Sequence, residues 1–153
     1  MDFMTRWLDP DEQRTWRAYL TASRALMETL DRELQRDAGM PHAYYEILVR
    51  LSEDPQRRLR MSDLAKASGS SRSRLSHAVA RLEAAGWVRR EECPTDRRGQ
   101  IAVLTDEGFA TLAAAAPGHV EGVRRHLFDA LSPAQVDQLR RISETLAAHL
   151  TSS

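Results

Sequence analysis

Apolar positions along this chain fall into stretches with a helical period, separated by two short stretches that alternate as strands do. Asp9-Pro10-Asp11-Glu12 offers a capping carboxylate, a proline suited to a first turn and an acid three residues on, which predicts a helix start. Behind it Trp16, Leu20, Ser23, Met27, Leu30 and Leu34 recur at alternating spacings of four and three, one stripe on a helix ending near Gly39 and Pro41. A second helix, from about Pro41 to Ser52, turns Tyr44, Ile47, Leu48 and Leu51 inward, and Glu53-Asp54-Pro55 breaks it. Leu59 to Met61 predicts a short strand. Ser62 is placed to cap a short helix running to Ser68, and Gly69-Ser70 makes a turn. Ser70 or Ser71 then caps a helix with Leu75, Val79 and Leu82 on one face, stopping at Gly86.

Trp87 to Glu92 and Gln100 to Leu104 read as strands, joined by a charged hairpin loop from Cys93 to Gly99. Thr105 caps a long helix carrying Phe109, Leu112, Ala116, Val120, Val123 and Leu127, which Pro117-Gly118 is expected to kink or interrupt. Ser132-Pro133-Ala134-Gln135 forms a second capping box, opening a last helix with Val136, Leu139, Ile142, Leu146 and Leu150 inward. The expected architecture is mainly α with a small β-hairpin.

The middle pair of short helices has the spacing of a helix-turn-helix. Ala65 is small where a second helix must cross closely. Gly69, four residues on, gives the turn its backbone freedom, and Leu75 and Val79 plug the second helix onto the first. The outward face of that second helix holds Ser71, Arg72, Ser73, Arg74, Ser76, His77 and Arg81. Every one can donate hydrogen bonds and none is acidic, whereas a solvated face normally mixes signs. Such a surface suits phosphates and base edges. The following hairpin carries Arg97 and Arg98 at its tip, a wing able to lay a guanidinium into a minor groove, with Asp96 positioned to hold Arg98 in a fixed fork.

Charge sharpens this picture. The 153 residues balance 22 basic against 22 acidic side chains, yet Arg57 to Arg98 alone carries eleven basic and five acidic ones. A neutral chain with a cationic middle third has a polarised surface, as polyanion binding needs. The single cysteine, Cys93, excludes an intrachain disulfide and a four-thiolate zinc site within one chain. It sits among Glu91 and Glu92, which raise a thiol pKa, and near Arg89, Arg90, Arg97 and Arg98, which oppose that; it reads as incidental rather than as a redox switch. His42, His77, His119, His126 and His149 show no ligand pair at helical spacing, so no metal is expected. No Gly-x-Ser-x-Gly elbow or phosphate-cradling glycine loop is present, so neither an enzyme nor a cofactor is expected. The N-terminus lacks a basic start followed by an apolar core, and no apolar run approaches a membrane span; a cytoplasmic protein without a membrane partner is the expectation.

Three stretches carry a family resemblance: Leu64-Ala65-x3-Gly69, Leu82-Glu83-x2-Gly86-Trp87-Val88, and Pro94-x-Asp96-x-Arg98-Gly99-x2-Ala102-x-Leu104-Thr105-x2-Gly108. With Asp-x-Arg in the wing and Leu-Thr at the next helix start, the chain resembles the MarR family of winged helix-turn-helix transcriptional regulators over about residues 9 to 150. The resemblance implies a winged helix-turn-helix core, residues 41–105, with a helical dimerisation layer from residues 1–40 and 106–153. It implies a homodimer on a pseudo-palindromic operator in double-stranded DNA, acting as a repressor. It also implies a small aromatic or lipophilic effector, for which Trp16, Tyr19, His42, Tyr44 and Tyr45 are the candidate lining. Oxidant-sensing members carry a cysteine on the first helix, which this chain lacks; some members bind zinc where His42 and His119 fall, but no third ligand is evident here. The alternative is a winged-helix protein–protein interaction module without specific DNA binding.

Overall fold

The structure, a computed structural model, describes residues 4–152, and the side chains of all of these except Arg97 and Arg98. The elements run α1 (Pro10–Ala38), α2 (His42–Glu53), β1 (Arg58–Arg60), α3 (Met61–Ala67), α4 (Arg72–Ala84), β2 (Val88–Cys93), β3 (Asp96–Leu104), α5 (Asp106–Val123), a π-helical turn (Arg124–Phe128) and α6 (Pro133–Thr151). The chain is mainly helical with one small antiparallel sheet in the order β1-β3-β2, in which Leu59 faces Ala102 and Arg90 also faces Ala102 from the other side. Two compact units result, one spanning Asp31–Gly122 and one formed by the chain ends, up to Leu30 and from Val123 onward.

The core of the unit Asp31–Gly122 joins α2, α3, α4 and the sheet. Leu48, Leu51, Leu64, Leu75, Val79, Leu82 and Ala102 are almost wholly shielded from solvent. Burying one large aliphatic side chain stabilises by about 1.5–3 kcal/mol, so this cluster fixes the position of α4 against α3. The turn between them follows the sequence reading closely. Ala65 is buried, Gly69 takes φ +61, and the Ser70 amide reaches back to the Ala65 carbonyl at 3.0 Å, closing the end of α3. Ser71 caps α4, its Oγ accepting from the Arg74 amide at 3.2 Å.

Four details differ from the sequence expectation. Ser62 does not cap α3; β1 feeds directly into the helix, and the extended Arg60 stands at the cap position without a side-chain capping bond. The hairpin has no seven-residue loop. Cys93 faces Asp96 across a turn at Pro94-Thr95, while Glu92 faces Gln100, so residues 97–99 are extra residues inserted into β3. Pro117 does not interrupt α5, which continues to Val123. The amide that proline lacks would have bonded the carbonyl of Ala113, an exposed residue that water can satisfy, and the preceding alanines are the strongest helix formers. The irregularity comes later, as the π turn. Finally, Tyr45 rather than Tyr44 is the buried tyrosine of α2, and Tyr44 is half-buried.

In the unit of the chain ends, both predicted apolar stripes exist; the α1 stripe is buried at Leu30, and much of the rest of both is uncovered. Trp16 and Met27 on α1, and Leu139, Ile142, Leu146 and Leu150 on α6, are exposed, and α6 contains no buried residue. Its capping box forms as predicted, Ser132 and Gln135 exchanging bonds of 3.2 and 2.9 Å. Among the described residues, no helix is long and apolar enough to cross a membrane.

Candidate nucleic-acid interface

Three apolar residues anchor α4, and their spacing decides which side chains face outward. With Leu75, Val79 and Leu82 buried, Ser71, Arg72, Ser73, Arg74, His77 and Arg81 are exposed. Four of these carry or can acquire positive charge, and no carboxylate shares the first two turns of the helix. The amides at its N-terminus add a partial positive charge on the same end.

Ser76 is placed differently from its neighbours. It is half-buried on the flank of α4 next to the wing, and its hydroxyl and carbonyl both accept from Arg90 of β2, at 3.3 and 2.7 Å. Arg90 also donates to Gln100 Oε1 on β3 at 3.3 Å, and its Nε lies 2.8 Å from a Glu83 carboxylate oxygen. That last pair is an ion contact rather than a hydrogen bond, because Nε has no aligned acceptor. Periodicity along one element could not reveal Arg90, since its partners lie on two others.

A groove of about 500 Å³ runs between α4 and the wing, lined by Arg60, Ser62, Arg72, Ser76 and Gln100. Arg60 ties β1 to the wing turn, donating to Thr95 Oγ1 at 2.8 Å with Cys93 Sγ 3.2 Å away. Cys93 is buried there. The Thr95 contacts are the chief reason its thiol is drawn below the ordinary range, and Arg60 adds to them. The flanking acids named from sequence do not set its titration. On the sheet, Glu91 accepts from Arg89 at 3.1 Å and Arg58 at 2.8 Å, contacts that hold its carboxyl below the usual carboxylate range, Arg89 foremost. Asp96 heads β3; the side chains of Arg97 and Arg98, and with them the expected fork, lie outside the described residues.

The residues proposed from sequence for an effector fall into two sets. Trp16 and Tyr19 stack on each other at 6.3 Å on the exposed part of α1. In the other unit His42, Tyr45 and His119 of α5 form a packed aromatic group, with ring centroids 4.5 Å apart for Tyr45–His119 and 5.4 Å for His42–His119. The void beside His119 is about 20 Å³. Asp31 accepts from the His42 amide at 2.8 Å and so starts α2. Among the described residues no cluster could hold a metal ion.

Burial holds the His119 pKa below the ordinary histidine value, with the nearby His42 as second cause; Glu46 and Glu33 pull the other way. The fold therefore prefers neutral His119. Its contribution to stability is complete above the unfolded histidine pKa of about 6.5 and is lost as pH falls below that value. Thermal melts at pH 7.5 and 5.5 are expected to show a larger acid loss for the native protein than for His119→Gln. Parallel losses in both would remove His119 as the cause.

The MarR family model matches residues 38–99 of this chain. The transcriptional repressor MprA of Escherichia coli K12 is 30% identical over 125 residues, 82% of this chain and 70% of that protein. Sco3205, a MarR family transcriptional regulator from Streptomyces coelicolor solved in complex with DNA, superposes with a TM-score of 0.93 at 57% identity, over 96% of this chain and 92% of that one. AbsC, a MarR family regulator from the same organism, superposes with a TM-score of 0.91 at 47% identity, over 97% and 100% of the two chains.

Proposed function

This chain belongs to the MarR family of transcriptional regulators, and on that premise we propose that it is a sequence-specific DNA-binding repressor acting as a homodimer on a pseudo-palindromic operator. The observation that carries the proposal is the exposed, acid-free donor face of α4 beside a wing. The 57% identical relative solved on DNA supports the same reading. On this proposal, α4 enters a major groove through Ser73, Arg74, His77 and Arg81, while Arg72 and the helix N-terminus hold phosphate. Arg98, steered by Asp96 and flanked by Arg97, enters the adjacent minor groove.

Residues 41–105 form the DNA-reading part of this proposal, and residues 1–40 and 106–153 the dimerisation layer. The uncovered apolar faces of α1 and α6 support it, because surfaces of that kind mark interfaces. Two-fold symmetry would set the recognition helices about 34–36 Å apart, one turn of DNA. Bound dimer blocks polymerase, in the cytoplasm, and the proposal assigns the chain no reaction. Release by a small aromatic or lipophilic effector belongs to the proposal through the family resemblance.

Selection from random duplex DNA with purified protein, at two salt concentrations, tests the reading. A palindromic consensus with half-sites one turn apart is the expected result; no enrichment would overturn it in favour of a winged helix that contacts protein. Arg74→Ala is expected to cost about 1–3 kcal/mol on the selected duplex and to relax preference at one position of each half-site. Equal loss on all sequences, with the salt slope reduced by about 0.9, would make Arg74 a phosphate clamp instead.

A further inference from the structure

We propose that Arg90 is a positioning residue that sets the angle between the recognition helix and the wing, and that Ser76 belongs to this brace rather than to the base-reading face. The inference rests on the DNA-binding reading above and adds a determinant of selectivity to it.

The geometry is specific. One guanidinium, carried on β2, reaches two other elements: Ser76 and Glu83 on α4, and Gln100 on β3. Its bond to the Ser76 carbonyl, at 2.7 Å, is short for such a contact. A mid-helix carbonyl is already engaged by the amide four residues on, so this second donor fixes the guanidinium without breaking α4. Glu83 is the only acid in α4, and it stands on this flank, where it neutralises Arg90. Only about 20% of the Arg90 side chain is exposed, against 58% for its neighbour Arg89.

These facts separate Arg90 from the DNA-facing arginines. Its two terminal nitrogens donate inside the protein and its charge is paired, so it adds little to the field that phosphates meet. What it controls is relative placement. The recognition helix and the wing must enter neighbouring grooves together, and a misfit of one costs the contacts of both. The rigid, planar fork matters, because a lysine ammonium cannot span Ser76, Gln100 and Glu83 at once. Ser76, with both oxygens facing Arg90, is withdrawn from the duplex that Ser73 and His77 face.

The test uses the full-length protein, the duplex selected by the native protein, and a scrambled duplex of equal length. Failure of the native protein to select any duplex would sink the underlying reading; the brace is judged only by the ratio of the two affinities. Arg90→Met is expected to lower affinity for the selected duplex at least tenfold and for the scrambled one less than threefold, with an unchanged salt slope. Arg90→Lys is expected not to restore the ratio. Ser76→Ala keeps the carbonyl bond and is expected to leave base preference unaltered. Equal losses on both duplexes with a shallower salt slope would make Arg90 a phosphate contact and overturn the proposal, as would an unchanged ratio. A change in base preference for Ser76→Ala would return that residue to the reading face and overturn its assignment to the brace. If Arg90→Met does not fold, Gln100→Ala decides: a loss of about threefold in the ratio at unchanged melting temperature supports the brace, and no loss overturns it.

Discussion

Gly108→Ala is expected to cost about 3 kcal/mol. A methyl group at this position would stand 2.1 Å from the Trp87 carbonyl oxygen and 2.8 Å from Leu104 Cδ1. The approach is tight because three hydrogen bonds converge there. Thr105 Oγ1 donates to the Gly86 carbonyl at 2.7 Å and accepts from the Gly108 amide at 2.9 Å, while the Thr105 amide donates to the Trp87 carbonyl at 3.0 Å. These bonds lock the first turn of α5 against the entry to β2, so neither side can withdraw without breaking them. For a chain of this size the loss corresponds to a fall in melting temperature of about 6–12 °C, measured at fixed protein concentration because the proposed dimerisation would also shift it. Gly118→Ala is the control. Its methyl would meet nothing within 4 Å on the same helix, and a helical alanine gains up to about 1 kcal/mol over glycine. A melting temperature for Gly108→Ala within two or three degrees of native, about what 1 kcal/mol produces, would show that the strand entry yields.

The second large effect concerns assembly. Ile142 and Leu146 lie one turn apart on α6 and are 58% and 44% exposed in the single chain. Placing glutamate at both positions puts two charges where the proposed dimer is apolar, and burying an unpaired carboxylate costs several kcal/mol. Sedimentation of Ile142→Glu/Leu146→Glu is expected to give a monomer at concentrations where the proposal has the native protein as a dimer. Affinity for the selected palindrome is then expected to fall by about 10²-fold or more, because linkage of two half-sites is lost without any change to a DNA-facing residue. A variant that remains dimeric would move the interface away from α6. A monomer with native affinity would instead remove the need for two copies on DNA.

The same α6 stripe shows where sequence reading reaches its limit. A run such as Val136, Leu139, Ile142, Leu146 and Leu150 predicts a helix with one apolar face, and the helix is there. Periodicity cannot say whether that face is covered by its own chain or by another copy, since both bury the same side chains. The α3–α4 turn was fully legible for the opposite reason. Ala65, Gly69, Ser71 and Leu75 act through contacts a few residues apart, so their spacing carries the geometry. The outward face of α4 followed at once, except at Ser76, whose environment is supplied by Arg90, fourteen residues away.

The wing shows a similar division. Alternation placed its strands, but the insertion of residues 97–99 into β3 is a matter of strand register, which Pro94 and Gly99 alone did not reveal. The sequence paired His119 with His42 only through the family resemblance, as positions where some members hold zinc, and folding sets both beside Tyr45 in a packed aromatic group. By itself the amino-acid order determined which helices and strands form and in what order, which faces of α4 and α6 are apolar, and that the first two turns of α4 present donors without acids. The tertiary structure alone decided which tyrosine is buried, which arginine is turned inward, and how the wing is tied to the recognition helix. The physical reason is range: caps and periodicity act within one or two turns, whereas burial and charge pairing depend on residues that only chain folding brings within a few ångströms.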